Sequence, residues 1–102
     1  MNWVCKSFDE LTTRELYTIL RLRQEVFAVE QNCVYQDCDD VDLSSSHLLG
    51  LFEEEGKQVL VAYARLVPQN GRYSEQSIGR VVTSNKHRRM GFGQQLMRRC
   101  VC

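Results

Sequence analysis

The 102 residues predict an α/β fold of the α+β kind, a mixed but mainly antiparallel sheet flanked by helices. Three stretches carry that reading. Thr12-Thr13-Arg14-Glu15 has the capping-box pattern that opens a helix. His47 to Phe52 and Gln58 to Val67 are β-rich runs separated by Glu53-Glu54-Glu55-Gly56-Lys57, a polar, glycine-containing connector that signals a hairpin. Ile78 to Thr83 is a β-branched run followed by a polar turn, Ser84 to His87, and then by a helical segment that opens at Gln94.

Taken in order, Asn2 to Phe8 alternates loosely and predicts a first strand. In the helix that follows, Leu16, Ile19, Leu20, Val26 and Phe27 recur at helical spacing and predict one buried stripe. Arg23 and Glu30 land on the same stripe. A polar group on a packing face must be paired or must face a cavity. The two are therefore either an internal ion pair or edge charge, or residues lining a substrate cleft. Gln31 to Ser46 is polar and acidic, with Asp37, Asp39, Asp40 and Asp42, and without the glycine and closing glutamate of a calcium loop it predicts a solvated loop. Arg65, on an otherwise apolar strand, predicts a partner acid such as those near Glu30, and His47 at a strand start predicts a structural role. Pro68, Asn70 and Gly71 mark the next turn, and Glu75 to Thr83 returns as a strand. The predicted order is β-α-loop-β-β-β-α, in one domain spanning residues 1–102.

Composition narrows the function. The chain is 43% hydrophobic and 25% charged, as a globular domain is, with a core expected from its length. Lys and Arg balance Asp and Glu at 13 each, so no general attraction to nucleic acid or an anionic membrane is expected. The basic residues that cluster are Lys86, Arg88, Arg89, Arg98 and Arg99. No apolar run approaches the ~20 residues of a membrane span, and Met1-Asn2-Trp3 does not begin a signal peptide, so the expected compartment is cytoplasmic. Five cysteines without a C-x-x-C pair predict free thiols. Cys33, Cys38 and His47 are too few and too widely spaced for a structural zinc site, and no metal is expected.

Arg88 to Gly93 reads R-x-x-G-x-G between a strand and a helix. A helix start leaves backbone N–H groups unpaired and carries partial positive charge, so a phosphate docked there gains hydrogen bonds and field. Gly91 and Gly93 let the backbone approach such a ligand closely, and arginine grips phosphate oxygens bidentately. Spacing alone equally allows an ordinary strand-to-helix loop. It is not a P-loop, because no Gly-Lys-Ser/Thr follows, and it lacks the third glycine of a dinucleotide fingerprint.

The run resembles motif A of the GNAT superfamily of N-acetyltransferases, whose R/Q-x-x-G-x-G/A signature is matched by Arg88, Gly91 and Gly93. Leu20 to Asp42, His47 to Gly50, Ala62 to Leu66 and Gly79 to Val82 resemble the ElaA-like branch, in that family's order and over nearly the whole chain. The resemblance implies acetyl-CoA as cofactor and an amine, small-molecule or peptide, as acceptor. It implies that backbone groups of Val81, Val82 and Thr83 hold the pantetheine arm. It also implies that Arg88, Arg89, Met90, Gly91, Phe92 and Gly93 cradle the diphosphate, with Gln94 opening the helix. Arg23, Glu30 and Tyr35 then fall on the acceptor side, where the acidic loop attracts a cationic amine; Glu30 is the one residue named as a candidate base, and a water chain is the equal alternative.

Against the family pattern the sequence stops inside the motif A helix, and Tyr17, Tyr35, Tyr63 and Tyr73 match no catalytic acid. The expectation is either a homodimer that completes the sheet or a part of a longer enzyme. An acetyl-CoA-dependent N-acetyltransferase, or its cofactor-binding portion, is the leading functional reading. A non-catalytic acyl-CoA-binding or interaction module, and a structural remnant of the fold, are the alternatives.

Overall fold

The structure, a computed structural model, describes residues 2–32, 36–68, 76–84, 87, 91 and 94–96. Its strands are β1 (Asn2–Ser7), β2 (Ser46–Glu54), β3 (Lys57–Pro68) and β4 (Gln76–Thr83). They form one sheet in the order β1-β2-β3-β4, with every neighbouring pair antiparallel. The order of elements is the one predicted, and the described strands make the sheet wholly antiparallel.

Helix α1 (Thr13–Gln24) starts where the capping box places it: Thr12 Oγ1 accepts from the Glu15 N–H, and the Glu15 carboxylate accepts from the Thr12 N–H. The chain then widens into a π-helical turn, Glu25–Glu30, in which the Gln31 N–H reaches back to the Val26 carbonyl. A π turn closes over five residues rather than four, so side chains after Val26 rotate off the α-helical stripe. Ile19, Leu22, Arg23 and Val26 stay buried, while Glu30 is exposed, contrary to its predicted place on the buried stripe.

Neighbouring strand residues face opposite sides of a sheet, and the core divides accordingly. Leu49, Leu60, Tyr63 and Val82 pack with Ile19, Leu22 and Val26 of the helix. Leu48, Val61, Ala62 and Ala64 pack with Leu96, which is fully buried in the helical residues 94–96. Helix α1 thus packs on one face of the sheet, and Leu96, after the glycine turn, packs on the other. The β2–β3 hairpin turns on Glu55 and Gly56, both with positive φ (53° and 78°), the backbone of a two-residue primed turn. Gly50 lies under the indole of Trp3, where a Cβ would sit 2.7 Å from Trp3 Cζ3, and the β2–β3 register shifts just after it. Among the described residues, no helix is long and apolar enough to cross a membrane.

Candidate functional site

The acidic loop is solvated only in part: Gln36, Cys38, Asp40, Leu43 and Ser44 are exposed, as its composition predicts. Asp37, Asp39 and Asp42 instead close a ring of alternating charge with arginines from α1, β3 and β4. Arg23 Nε lies 2.9 Å from Asp37 Oδ2, and Asp37 Oδ1 lies 2.8 Å from Arg80 Nε. Arg80 Nη2 reaches Asp39 Oδ2 at 3.3 Å, and Asp39 Oδ1 meets Arg65 Nη1 at 2.8 Å. Arg65 Nη1 and Arg23 Nη1 both meet Asp42 Oδ1, at 3.1 Å and 2.9 Å, which closes the circuit. Each aspartate bridges two arginines, so three positive and three negative charges cancel inside the fold. Arg23 is only 1% exposed, and it belongs to this ring. Burial works against its charge, but Asp42 and Asp37 outweigh that cost and hold the guanidinium more firmly protonated than an exposed arginine. Arg65 has found its partner acids, in Asp39 and Asp42.

His47 is fully buried beside the ring. Its Nε2 lies 3.0 Å from the Asp42 carbonyl, which can only accept, so Nε2 carries the proton. Nδ1 is therefore the acceptor for the Tyr63 hydroxyl at 2.6 Å. Both ring nitrogens are engaged in a structural role, and Cys38 is an exposed free thiol. Burial holds the His47 pKa below the ordinary 6.5, and the Arg23 and Arg65 charges push the same way. The same burial pushes the Tyr63 hydroxyl up.

These groups set the acid side of the stability profile. The unfolded chain takes up a proton on His47 that the folded chain refuses, so folding loses stability as pH falls below 6.5 through the depressed folded value. Asp39 is lowered from 3.8, because Arg65 outweighs the opposing burial, and its contribution is lost in turn at still lower pH. Urea midpoints are expected to fall between about pH 7.5 and about pH 5.5, with a smaller change in His47→Gln. An equal slope in the two proteins would remove His47 from that account.

A cavity of about 330 Å³ opens where α1 passes into the π turn, lined by Leu20, Arg23, Gln24, Phe27, Ala28, Asp37 and Cys38. Arg23 thus combines the two sequence readings, an internal ion-pair member whose side chain also walls a cleft. Glu30 sits past this lining, on the exposed end of the turn. Tyr35 lies outside the described residues.

Among the described residues β4 has β3 on one side and no strand on the other. The Ser84 N–H donates to the Val61 carbonyl at 2.7 Å, so by strand alternation Thr83, one residue back, turns its N–H and C=O away from β3. Val82 is buried in the core, and Val81 is 39% exposed. Beyond the strand, His87 donates its N–H to the Ser84 carbonyl at 2.9 Å, and its Nε2 lies 2.8 Å from Glu54 Oε2. Gly91 has φ +78°, and among the described residues a Cβ added there would meet nothing within 4 Å. Its carbonyl accepts from the Gln95 N–H at 3.3 Å, the first turn of the helical segment, with Gln94 exposed at its start. Arg88, Arg89, Met90, Phe92 and Gly93 lie outside the described residues. A strand edge with outward backbone groups, followed by a left-handed glycine and a helix start, suits a ligand that is extended at one end and anionic at the other.

The ring was the site feature that sequence reasoning missed. Two signals pointed to it, an arginine on a buried helical stripe and another on an apolar strand, each needing a carboxylate.

Comparison with known proteins agrees with this architecture. A UPF0039 protein of Synechocystis is 45% identical over 101 residues, covering 99% of this chain and 64% of that protein. The ElaA protein of Escherichia coli is 42% identical over 99 residues, covering 95% of this chain and 62% of its own length. The chain thus spans under two thirds of these curated relatives. The crystal structure of E. coli ElaA superposes with a TM-score of 0.85 at 40% identity, covering 98% of this chain and 66% of that one. An acyl-CoA N-acyltransferase from Pseudomonas aeruginosa superposes with a TM-score of 0.84 at 43% identity, over 99% of this chain and 66% of the other. Residues 9–101 match the Acetyltransferase (GNAT) family, and the chain belongs to that family.

Proposed function

We propose that this chain is an acetyl-CoA-dependent N-acetyltransferase, or the cofactor-binding portion of one, acting on a primary amine in the cytoplasm. The observation that carries the proposal is the sequence of β4 edge, left-handed Gly91 and helix start in a chain of this family. Acetyl-CoA, when bound, supplies an acetyl thioester. The residues assigned to it divide by geometry. Val82 anchors the strand in the core, and Thr83 offers outward backbone groups beside the partly exposed Val81. Gly91 and Gln94 form the described part of the diphosphate turn, and Arg88, Arg89, Met90, Phe92 and Gly93 complete it by the family pattern. An outward N–H near the thioester would stabilise developing oxyanion charge, a contribution of about 3 kcal/mol where one donor is well aimed.

The acceptor side is assigned to the cavity walled by Arg23, with Glu30 past its lining and Tyr35 assigned to it by the family pattern alone. Both oxygens of Asp37 already lie against guanidinium groups. Glu30 is the candidate general base by the family resemblance, with a water chain as the alternative. Because the ring cancels its own charge, a cationic amine gains little field from Asp37, Asp39 or Asp42. Isothermal titration with acetyl-CoA tests the reading, and a dissociation constant in the micromolar range is expected. No heat at about 1 mM ligand would overturn it. Thiol release over a panel of amines then separates an enzyme from an acyl-CoA-binding module.

A further inference from the structure

The backbone of β4 is irregular just before the residues assigned to the cofactor. Tyr63 pairs with Val82 and Arg65 with Gly79, so Arg80 and Val81 together stand opposite Ala64. This is a β-bulge, with one extra residue in β4. Arg80 takes φ +51°, a left-handed conformation in which a side chain is disfavoured and glycine is not. A conformation of that kind persists only where its surroundings hold it.

What holds it comes from the acidic loop. Arg80 Nε donates to Asp37 Oδ1 at 2.8 Å, and Nη2 donates to the Asp37 carbonyl at 3.1 Å and to Asp39 Oδ2 at 3.3 Å. Two aspartates and a main-chain oxygen thus fix the fork of one guanidinium, a geometry that a point charge cannot reproduce. Asp37 also lines the cavity with Arg23. One loop therefore walls the cavity and grips the bulge that leads into Val81, Val82 and Thr83.

We propose that Arg80 is a positioning residue: through Asp37 and Asp39 it fixes the bulge of β4 and so aims the strand edge at Val81–Thr83 toward the acyl-CoA arm. The proposal deepens the cofactor reading and rests on it. It also couples the two sides of the site, because a displacement of Asp37 by a ligand in the cavity would be felt at the bulge.

The test uses Arg80→Gly and Arg80→Lys in the full chain. Glycine removes the left-handed penalty together with the guanidinium, so backbone strain alone would leave R80G as good as wild type. Lysine keeps the charge but not the fork. Both variants are expected to weaken acetyl-CoA binding about tenfold or more, the scale that a small misplacement of a binding group produces. In the unliganded variants, amide hydrogen exchange should speed up at Val82 and Ser84, the amides that bond to β3 just after the bulge, and stay unchanged at a core strand residue such as Leu49. Wild-type affinity with unchanged exchange at Val82 and Ser84 in R80G would overturn the proposal, and R80K carries the same decision if R80G does not fold. If the wild-type chain binds no acetyl-CoA, the cofactor reading fails, and the exchange at Val82 and Ser84 still decides whether Arg80 holds the strand.

Discussion

Replacing Asp42 by asparagine is expected to lower the unfolding free energy by about 3 to 5 kcal/mol, the usual cost of removing one partner from a buried ion pair. Asparagine has the same shape and keeps an acceptor oxygen, so the effect isolates the charge. Asp42 Oδ1 stands between two guanidinium groups, 2.9 Å from Arg23 Nη1 and 3.1 Å from Arg65 Nη1. Those side chains are 1% and 7% exposed, so water cannot take over the screening. Without the carboxylate, two desolvated cations face each other across the gap, with Asp37 and Asp39 left to balance the remaining charge. The exposed Arg21–Glu25 pair supplies the contrast: its side chains are 72% and 53% exposed, and Glu25→Gln should change stability by less than about 0.5 kcal/mol. Urea denaturation of the two variants checks both figures. An Asp42→Asn protein within about 1 kcal/mol of wild type would show that the ring is well solvated and contributes little.

That ring marks the boundary between what was legible in the sequence and what was not. The helix start at Thr12 is local, since the capping residue and its partner are three positions apart and name each other. The Glu55-Gly56 hairpin is local in the same sense. Both follow from short-range chemistry. The ring needs Arg23, Arg65 and Arg80 to arrive from a helix and two strands, and nothing at short range announces that convergence. Arg23 and Arg65 were each visible as a charge at a buried position. An acid near Glu30 was the expected partner of Arg65; that Asp37, Asp39 and Asp42 together serve both arginines at once has no short-range signal. Read by composition alone, the acidic stretch resembles any surface loop.

Glu30 illustrates a different loss. A hydrophobic stripe is a projection at a constant angle per residue, and it holds only while the helix keeps its pitch. The π turn from Glu25 breaks that pitch, and a residue that α-helical geometry would bury ends exposed. The cavity owes its position to the same turn, since Phe27 and Ala28 line it from within the widened segment. Periodicity placed the helix correctly and could not register the turn, although the turn shapes the wall on which an acceptor would rest.

Gly91 carries the largest functional effect expected. Its φ of +78° disfavours other residues, and the space a Cβ would enter holds no atom within 4 Å among the described residues. Two consequences can therefore be separated. Gly91→Val combines a β-branched side chain with a left-handed backbone, so it costs about 1 to 3 kcal/mol of stability through conformation as well as filling the space. Gly91→Asn tolerates the left-handed region and keeps the turn, while placing a side chain in the same opening. If that opening receives the diphosphate, both variants should lose acetyl-CoA affinity by about a hundredfold or more, since a side chain and a phosphate cannot share the volume. Only Gly91→Val should also show a lowered urea midpoint. If instead Gly91 serves only to turn the chain into the helix, Gly91→Asn should bind acetyl-CoA like wild type and Gly91→Val should be weakened no more than its lost stability explains. Titration calorimetry alongside denaturation decides between them, because the asparagine variant changes the occupancy of the opening without changing the backbone that frames it.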